Sequence, residues 1–400
     1  LGVARTQALI VGGGPAGLAA AIALGRRKID CVLVDSLSQD VDKACGEGLM
    51  PDTLASLAAL GVVVSPADGY TMQGISFMNE SDHVRSTFPD GEGVGVRRPW
   101  FRQKMAQAAT DAGSQILWNT RIKITSANTA RIDGRELRFD WLIGADGTSS
   151  AIRTAAGLST TIEEHHRYAV RRHYRVKPWS GFVELHWNRT GQVCLAPVGD
   201  ECVSAIFMTN SRETLRGDPF AAFPELMSRL KDTEMMTTPA GAVLMTRRLR
   251  QVARGNTALV GDASGSVDAI TGEGLGMSFR QAAALADCIH SGSLAGYNRR
   301  HRAIGRLPHL MGRVLLLLDQ FPTLANSALA ALSQCPESFA AMLNLHIGAA
   351  SAGQVLARQA PRFAVTLLAS LAKQGIRSMS ANAALPELPA IGEPAVKQTP

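Results

Sequence analysis

Residues 7–35 read QALIVGGGPAGLAAAIALGRRKIDCVLVD, and this stretch decides the fold. An apolar strand-like run ends in three glycines, a small-residue helix begins at Pro15, and a second apolar run closes on Asp35, all within the span a βαβ unit needs. Gly12 permits the tight turn, Gly14 lets backbone N–H groups approach a pyrophosphate, and Gly17 lets helix and strand pack closely. Asp35 follows Gly17 by 18 residues, where an acidic side chain accepts hydrogen bonds from an adenosine ribose. This fingerprint binds a dinucleotide without separating FAD from NAD.

Outward from that unit, a helix is predicted over 52–60, short strands over 71–88, a helix over 98–112, and strands over 115–127 and 135–145. From 164 to 250 the pattern changes to spaced strands such as Phe182 to Trp187, Gln192 to Pro197 and Cys202 to Met208, an antiparallel sheet. The strand Thr257 to Val260 then runs into GDASGSVDAITGEGLG (261–276) and a helix predicted from Met277 to Ile289. An NAD dehydrogenase has no use for this second strand-to-glycine-loop turn, whereas a flavin does. Asp262 after Gly261 would meet the ribityl chain or pyrophosphate. The helix after Gly272, Gly274 and Gly276 would aim its positive end at the isoalloxazine ring.

The expected architecture is α/β. A Rossmann-type FAD-binding domain is built from 1–70, 94–163 and 252–300, with an antiparallel β-sheet substrate domain (71–93 and 164–251) inserted in it. A helical C-terminal region follows over 301–383. Four prolines and few bulky residues over 384–400 read as a flexible tail.

Three segments, GGGPAG, DWLIGADGTSSAIR (140–153) and GDASGSVDAITGEGLG, resemble in order and distance the superfamily of FAD-dependent class A monooxygenases and geranylgeranyl reductases. The resemblance implies a p-hydroxybenzoate hydroxylase-like fold, Asp146-Gly147 near the pyrophosphate, and Arg98, three residues before Phe101, on the flavin nucleotide. KACGEGLMP (43–51) and TGEGL (271–275) resemble the geranylgeranyl reductase branch, whose YxWxFP motif is replaced here by QVCLAP (192–197). The WxWxIP of flavin halogenases is missing, as are the His and prolines that usually follow GDA in aromatic hydroxylases.

The implied enzyme holds non-covalent FAD and takes electrons from a transient NAD(P)H, since only one dinucleotide fingerprint exists. The missing aromatics favour oxygen-dependent hydroxylation or epoxidation of a hydrophobic aromatic, polyketide or prenylated small molecule. The alternative is reduction of an isoprenoid double bond, with Cys45 as proton donor. A non-catalytic flavin-binding or electron-carrier protein is a distant third. Read by itself, Cys45 is more simply a small buried residue.

Composition bounds these readings. With 400 residues, 46% hydrophobic and 19% charged, the chain is globular rather than disordered. Its excess of 41 basic over 34 acidic residues is scattered, which suits an anionic cofactor better than nucleic acid. The six cysteines show neither a CxxC pair nor metal spacing, so no metal is expected and a cytoplasmic setting is. No export signal is visible, and no apolar run is long enough to span a bilayer, although resting on one stays open. His165, His166 and His173 in HHRYAVRRHYRV (165–176) are assigned to a strand and left out of the site.

Overall fold

The computed structural model describes residues 5–43 and 45–382. The tail expected from 384 onward lies outside them. Five parallel strands form the centre of an eight-stranded sheet, in the order Thr257–Leu259, Arg135–Gly144, Arg5–Val11, Cys31–Val34, Gln115–Leu117. The helices are α1 (Pro15–Gly25), α2 (Pro51–Ala59), α3 (Arg98–Asp111), α4 (Ala151–Ala155), α5 (Pro224–Leu230), α6 (Gly274–His290), α7 (Tyr297–Gln320), α8 (Pro322–Gln334), α9 (Pro336–His346) and α10 (Ala352–Asn382). Helices α1 and α6 bury small and apolar faces in the main core with the parallel strands, which is why α1 can be alanine-rich on nearly every side.

A second, nine-stranded sheet runs Gly265–Ser266, Ala240–Leu249, Thr161–Arg175, Cys202–Thr209, Gly191–Gly199, Phe182–Asn188, Gly74–Met78, His83–Thr87, with Glu234–Met235 pairing Thr161–Arg175 off this path. All its pairings are antiparallel except Phe182–Asn188 on Gly74–Met78. A small third sheet joins Gly48–Leu49, Gly93–Gly95 and Tyr70–Met72. It ties the KACGEGLMP loop to the crossing between the two large sheets.

Three sequence expectations need correction. Helix α6 begins at Gly274, not Met277, so Gly274 and Gly276 belong to its first turn rather than preceding it. The 115–127 segment is two short strands, 115–117 and 122–124, and Thr129–Ile132 is a further strand. The long strand of the second sheet starts at Thr161, three residues before 164.

Helix α7 is fixed to the nine-stranded sheet by a buried polar cluster. Arg167 donates to Asp268 Oδ1 at 3.0 Å and to Gln192 Oε1 at 2.6 Å, and Gln192 donates to Asp319 near the end of α7 at 2.8 Å. A charge buried this completely persists only when paired and hydrogen-bonded. The cluster therefore sets where α7 crosses the sheet, and the space between them is the cavity described next.

Candidate functional site

The site lies where the carboxyl ends of the parallel strands face the second sheet, the usual ligand position of open α/β sheets. Gly12 has φ +112°, and a Cβ there would stand 2.3 Å from the carbonyl oxygen of Ala145. A Cβ on Gly17 would stand 1.9 Å from the oxygen of Gly12, so the turn and the helix require glycine at both positions. Gly14 differs: it caps α1 with φ −73° and ψ 175°, and nothing lies within 4 Å of its would-be Cβ.

Asp35 accepts hydrogen bonds from Gly13 N–H at 2.7 Å, Leu37 N–H at 2.8 Å and Arg102 Nη2 at 3.1 Å. A carboxylate has about four acceptor sites, so one remains. Arg102, which sequence reasoning missed, also donates to the carbonyls of Gly13 (3.0 Å) and Ser38 (2.9 Å) and stacks on Trp118 at 4.8 Å. Its signal was its position one turn after Arg98 on the same face of α3.

Arg98 lies against Cys45, Asp262 and Glu47; burial opposes its charge, but these neighbours raise its pKa above the ordinary value. Asp262 is exposed at its surface, although protein is packed around it. Burial pushes its carboxyl above the usual range, opposed by the charges of Arg98 and Lys43. Gly261, at φ +59°, sits where a Cβ would be 2.5 Å from that of Ala16, and its N–H donates to Gln281 at 2.9 Å. Asp146 lies beside the glycine turn, its N 2.8 Å from where a Gly12 Cβ would stand, and its carboxylate accepts from Ser150 Oγ and from Ile152 N–H at 3.1 Å at the start of α4, with Gly147 next to it at φ +80°.

The loop bearing Cys45 is held by residues that sequence reasoning left aside. Glu47 adopts φ +59°, rare for a side chain of this kind, and is buried. It accepts from Arg98 N–H at 2.8 Å and pairs with His173 Nε2 at 2.5 Å, whose Nδ1 meets Thr237 Oγ1 at 2.9 Å. Burial would raise the Glu47 carboxyl, but His173, the Arg98 N–H and Arg97 hold it below the usual range. Arg171 grips the same loop through Asp42 at 2.7 Å and the carbonyl of Lys43 at 3.1 Å. In the strand 161–175 the buried positions 167, 169, 171 and 173 alternate, so Arg167, Arg171 and His173 point inward, whereas the sequence puts its apolar Tyr168 and Val170 on the other face. Cys45 is half-buried and accepts from Glu47 N–H at 3.5 Å.

Glu273 of the TGEGL loop is buried between Arg280 at 2.7 Å and His346 at 3.8 Å. Burial first, and then the charge of Asp52, raises its carboxyl. Gly272 is left-handed at φ +68° and ends the short turn Ala269–Thr271. Neither α1 nor α6 has a side-chain cap on its first turn, so both leave backbone N–H donors for a bound group.

Behind the turn of Gly261, His301 of α7 meets Ser264 Oγ at 2.8 Å. Burial, and then the nearby His309, lowers its pKa from 6.5 to about 4. Between these values the unfolded chain binds a proton that the folded chain refuses. Stability should therefore fall as pH drops from about 6.5 towards 4, by up to about 3 kcal/mol from this group. Denaturant melts at pH 7 and 4.5 should show it, and His301→Gln should flatten that part of the profile; an unchanged profile would assign the acid loss elsewhere.

A mostly apolar cavity of about 180 Å³ lies between the nine-stranded sheet and α7, α8 and α9. Gly46 and Gly272 edge it, so the KACGEGLMP and TGEGL loops meet at its head. Met72, Phe77 and Trp187 wall one side, and Met311, Leu315 and Leu343 the other. Cys194 and Ala196, the inward positions of QVCLAP, also line it, and burial pushes the Cys194 thiol up to about 12, so it stays neutral.

The model of the family described as FAD binding domain matches residues 5–291. A menaquinone reductase of Mycolicibacterium smegmatis is 27% identical over 326 residues, 74% of this chain and 78% of that protein. A digeranylgeranylglycerophospholipid reductase of Methanosphaera stadtmanae is 26% identical over 304 residues, 68% of this chain and 74% of that protein. The crystal structure of a flavoprotein/dehydrogenase from Cytophaga hutchinsonii superposes with a TM-score of 0.78 at 16% identity, covering 93% of this chain and all (100%) of that one, a likeness of fold. The residues fit FAD: uncapped helix starts, Arg98 and Lys43 suit a pyrophosphate, and the space at Gly14 admits it.

Proposed function

We propose, from the premise that the chain belongs to the FAD binding domain family and is an FAD-dependent oxidoreductase, that it adds two hydrogens across an isoprenoid double bond of a lipophilic substrate. One observation carries this reading: the apolar cavity has its head between the two loops whose sequences resemble the reductase branch. The names of the relatives, reductases of menaquinone and of a digeranylgeranyl lipid, support it. It takes precedence over the oxygenase expectation, whose main ground was the missing aromatics of QVCLAP. Phe77 and Trp187, from neighbouring strands, supply aromatic walls in their place.

FAD, when bound, supplies the redox chemistry, accepting two electrons from NAD(P)H and returning them to substrate. Gly12, Gly14, Gly17 and Asp35 bind its adenosine diphosphate half, with Asp146-Gly147 closing the turn nearby. Arg98 and Asp262 with Gly261 would bind the middle, and Gly272 with Gly274 at the start of α6 would hold the ring end, while Gly276 packs on Thr53 of α2. The aliphatic and aromatic walls exclude water and orient the chain of the substrate. Cys45 Sγ, kept in place by Glu47 and Arg98, delivers the proton to carbon. The overall change is NAD(P)H plus a proton plus C=C giving NAD(P)⁺ and CH–CH.

Oxygen insertion is the second reading, and product mass separates the two. Under anaerobic conditions with NAD(P)H and a panel of prenylated quinones and prenylated lipids, a product two hydrogens heavier should form at the aerobic rate. Turnover that stops without oxygen and yields a product one oxygen heavier would replace reduction with hydroxylation.

A further inference from the structure

Helix α7 is covered on one side and bare on the other. Leu310, Val314, Leu317 and Phe321 at its end are 56%, 39%, 47% and 54% exposed. Their spacing of four, three and four residues puts them on one face. Pro308, Gly312 and Leu316 are buried on the opposite side, and Met311, Leu315 and Leu318 look into the cavity. Val314 does both: it lines the cavity and is exposed, as does Asn326 at the start of α8. The apolar stripe is therefore the rim of a cavity mouth.

Toward the start of α7 the same face continues with exposed Arg306 and Arg302, and the helix carries five arginines against one acidic residue, Asp319. Among the described residues no single helix is long and apolar enough to cross a bilayer. Helices α7 and α8 reach that level only as a pair, and they turn through 116° between them. An apolar stripe that ends at an exposed phenylalanine corner and is flanked by arginine has the composition of an element lying in the membrane interface.

We propose that this face of α7, with the Phe321 corner, docks on the surface of an anionic phospholipid bilayer and sets the cavity mouth against the lipid. A bilayer meets both halves of the face, with acyl chains for residues 310–321 and headgroup phosphates for the arginines. A second copy of the chain would not, because a two-fold pairing sets arginines against arginines or against leucines. That the mouth takes up a lipid rests on the proposed reductase reading; docking does not.

The test uses the full FAD-loaded chain and vesicles of phosphatidylcholine alone or mixed with phosphatidylglycerol, with no substrate present. The parent should sediment with the mixed vesicles, and release with rising salt. Leu317→Glu together with Phe321→Glu should lower the apparent affinity by at least about tenfold, and Arg306→Glu by about tenfold or more. None of these three side chains lines the cavity, so both variants should keep flavin absorbance and the parent melting temperature. Docking at this face is overturned if the parent binds neither vesicle, if the double variant binds as well as the parent, or if the parent is a dimer that the double variant splits. Vesicle binding without any reduction of prenylated compounds would remove the reductase reading and leave docking standing. Reduction of a detergent-dispersed substrate without vesicle binding would do the reverse.

Discussion

Gly14→Val is expected to leave the chain folded and strip it of flavin. The backbone at Gly14, φ −73° and ψ 175°, is one any residue adopts, and no atom lies within 4 Å of the new Cβ. The branched side chain instead fills the space where backbone N–H groups of the first turn of α1 approach the pyrophosphate. FAD affinity should drop at least about 100-fold, equivalent to about 2.7 kcal/mol, while the melting temperature of flavin-free protein moves by a few degrees or less. Gly17→Val should behave in the opposite way. Its Cβ would stand 1.9 Å from the oxygen of Gly12, so the flavin-free fold itself should weaken. Flavin titration followed by fluorescence, with denaturant melts of both apoproteins, reads the contrast. An undiminished affinity in Gly14→Val would place the pyrophosphate elsewhere.

That contrast shows what a sequence exposes. Gly12, Gly17 and Gly261 are legible because the backbone tolerates nothing else at those places, and the constraint is local to a turn. Gly274 misled because a glycine in the first turn of a helix has the composition of a loop; only the hydrogen bonding of α6 distinguishes the two. Asp146 was found for its position, but its carboxylate is engaged in starting α4. The pair of Glu47 and His173 was illegible for a different reason: its partners are 126 residues apart, one in a loop and the other in the nine-stranded sheet, and neither has a distinctive neighbour pattern. The cavity likewise arises from where the cluster of Arg167, Asp268 and Asp319 sets α7, a tertiary fact. The alternation along 161–175 misleads, because the apolar Tyr168 and Val170 share the face opposite to the buried Arg167, Arg171 and His173.

Cys45→Ser should separate the two half-reactions. Serine keeps the size close and can still accept the hydrogen bond from Glu47 N–H, so the loop held by His173, Arg171 and Arg98 has no reason to move. What is lost is a thiol, in favour of a hydroxyl that is a far weaker acid. If the thiol delivers the proton to carbon, formation of the two-hydrogen product should fall by about 100-fold or more, the usual scale of a positioned acid. Flavin reduction by NAD(P)H, which needs no proton at that carbon, should keep its rate in stopped-flow traces. Glu47→Gln provides the comparison: it removes the charge that pairs with His173 and leaves the thiol, so a disturbed loop should slow both half-reactions together. Equal turnover by Cys45→Ser and parent would take the proton donor away from Cys45, and product labelled from molecular oxygen in the same assay would return the site to oxygen chemistry.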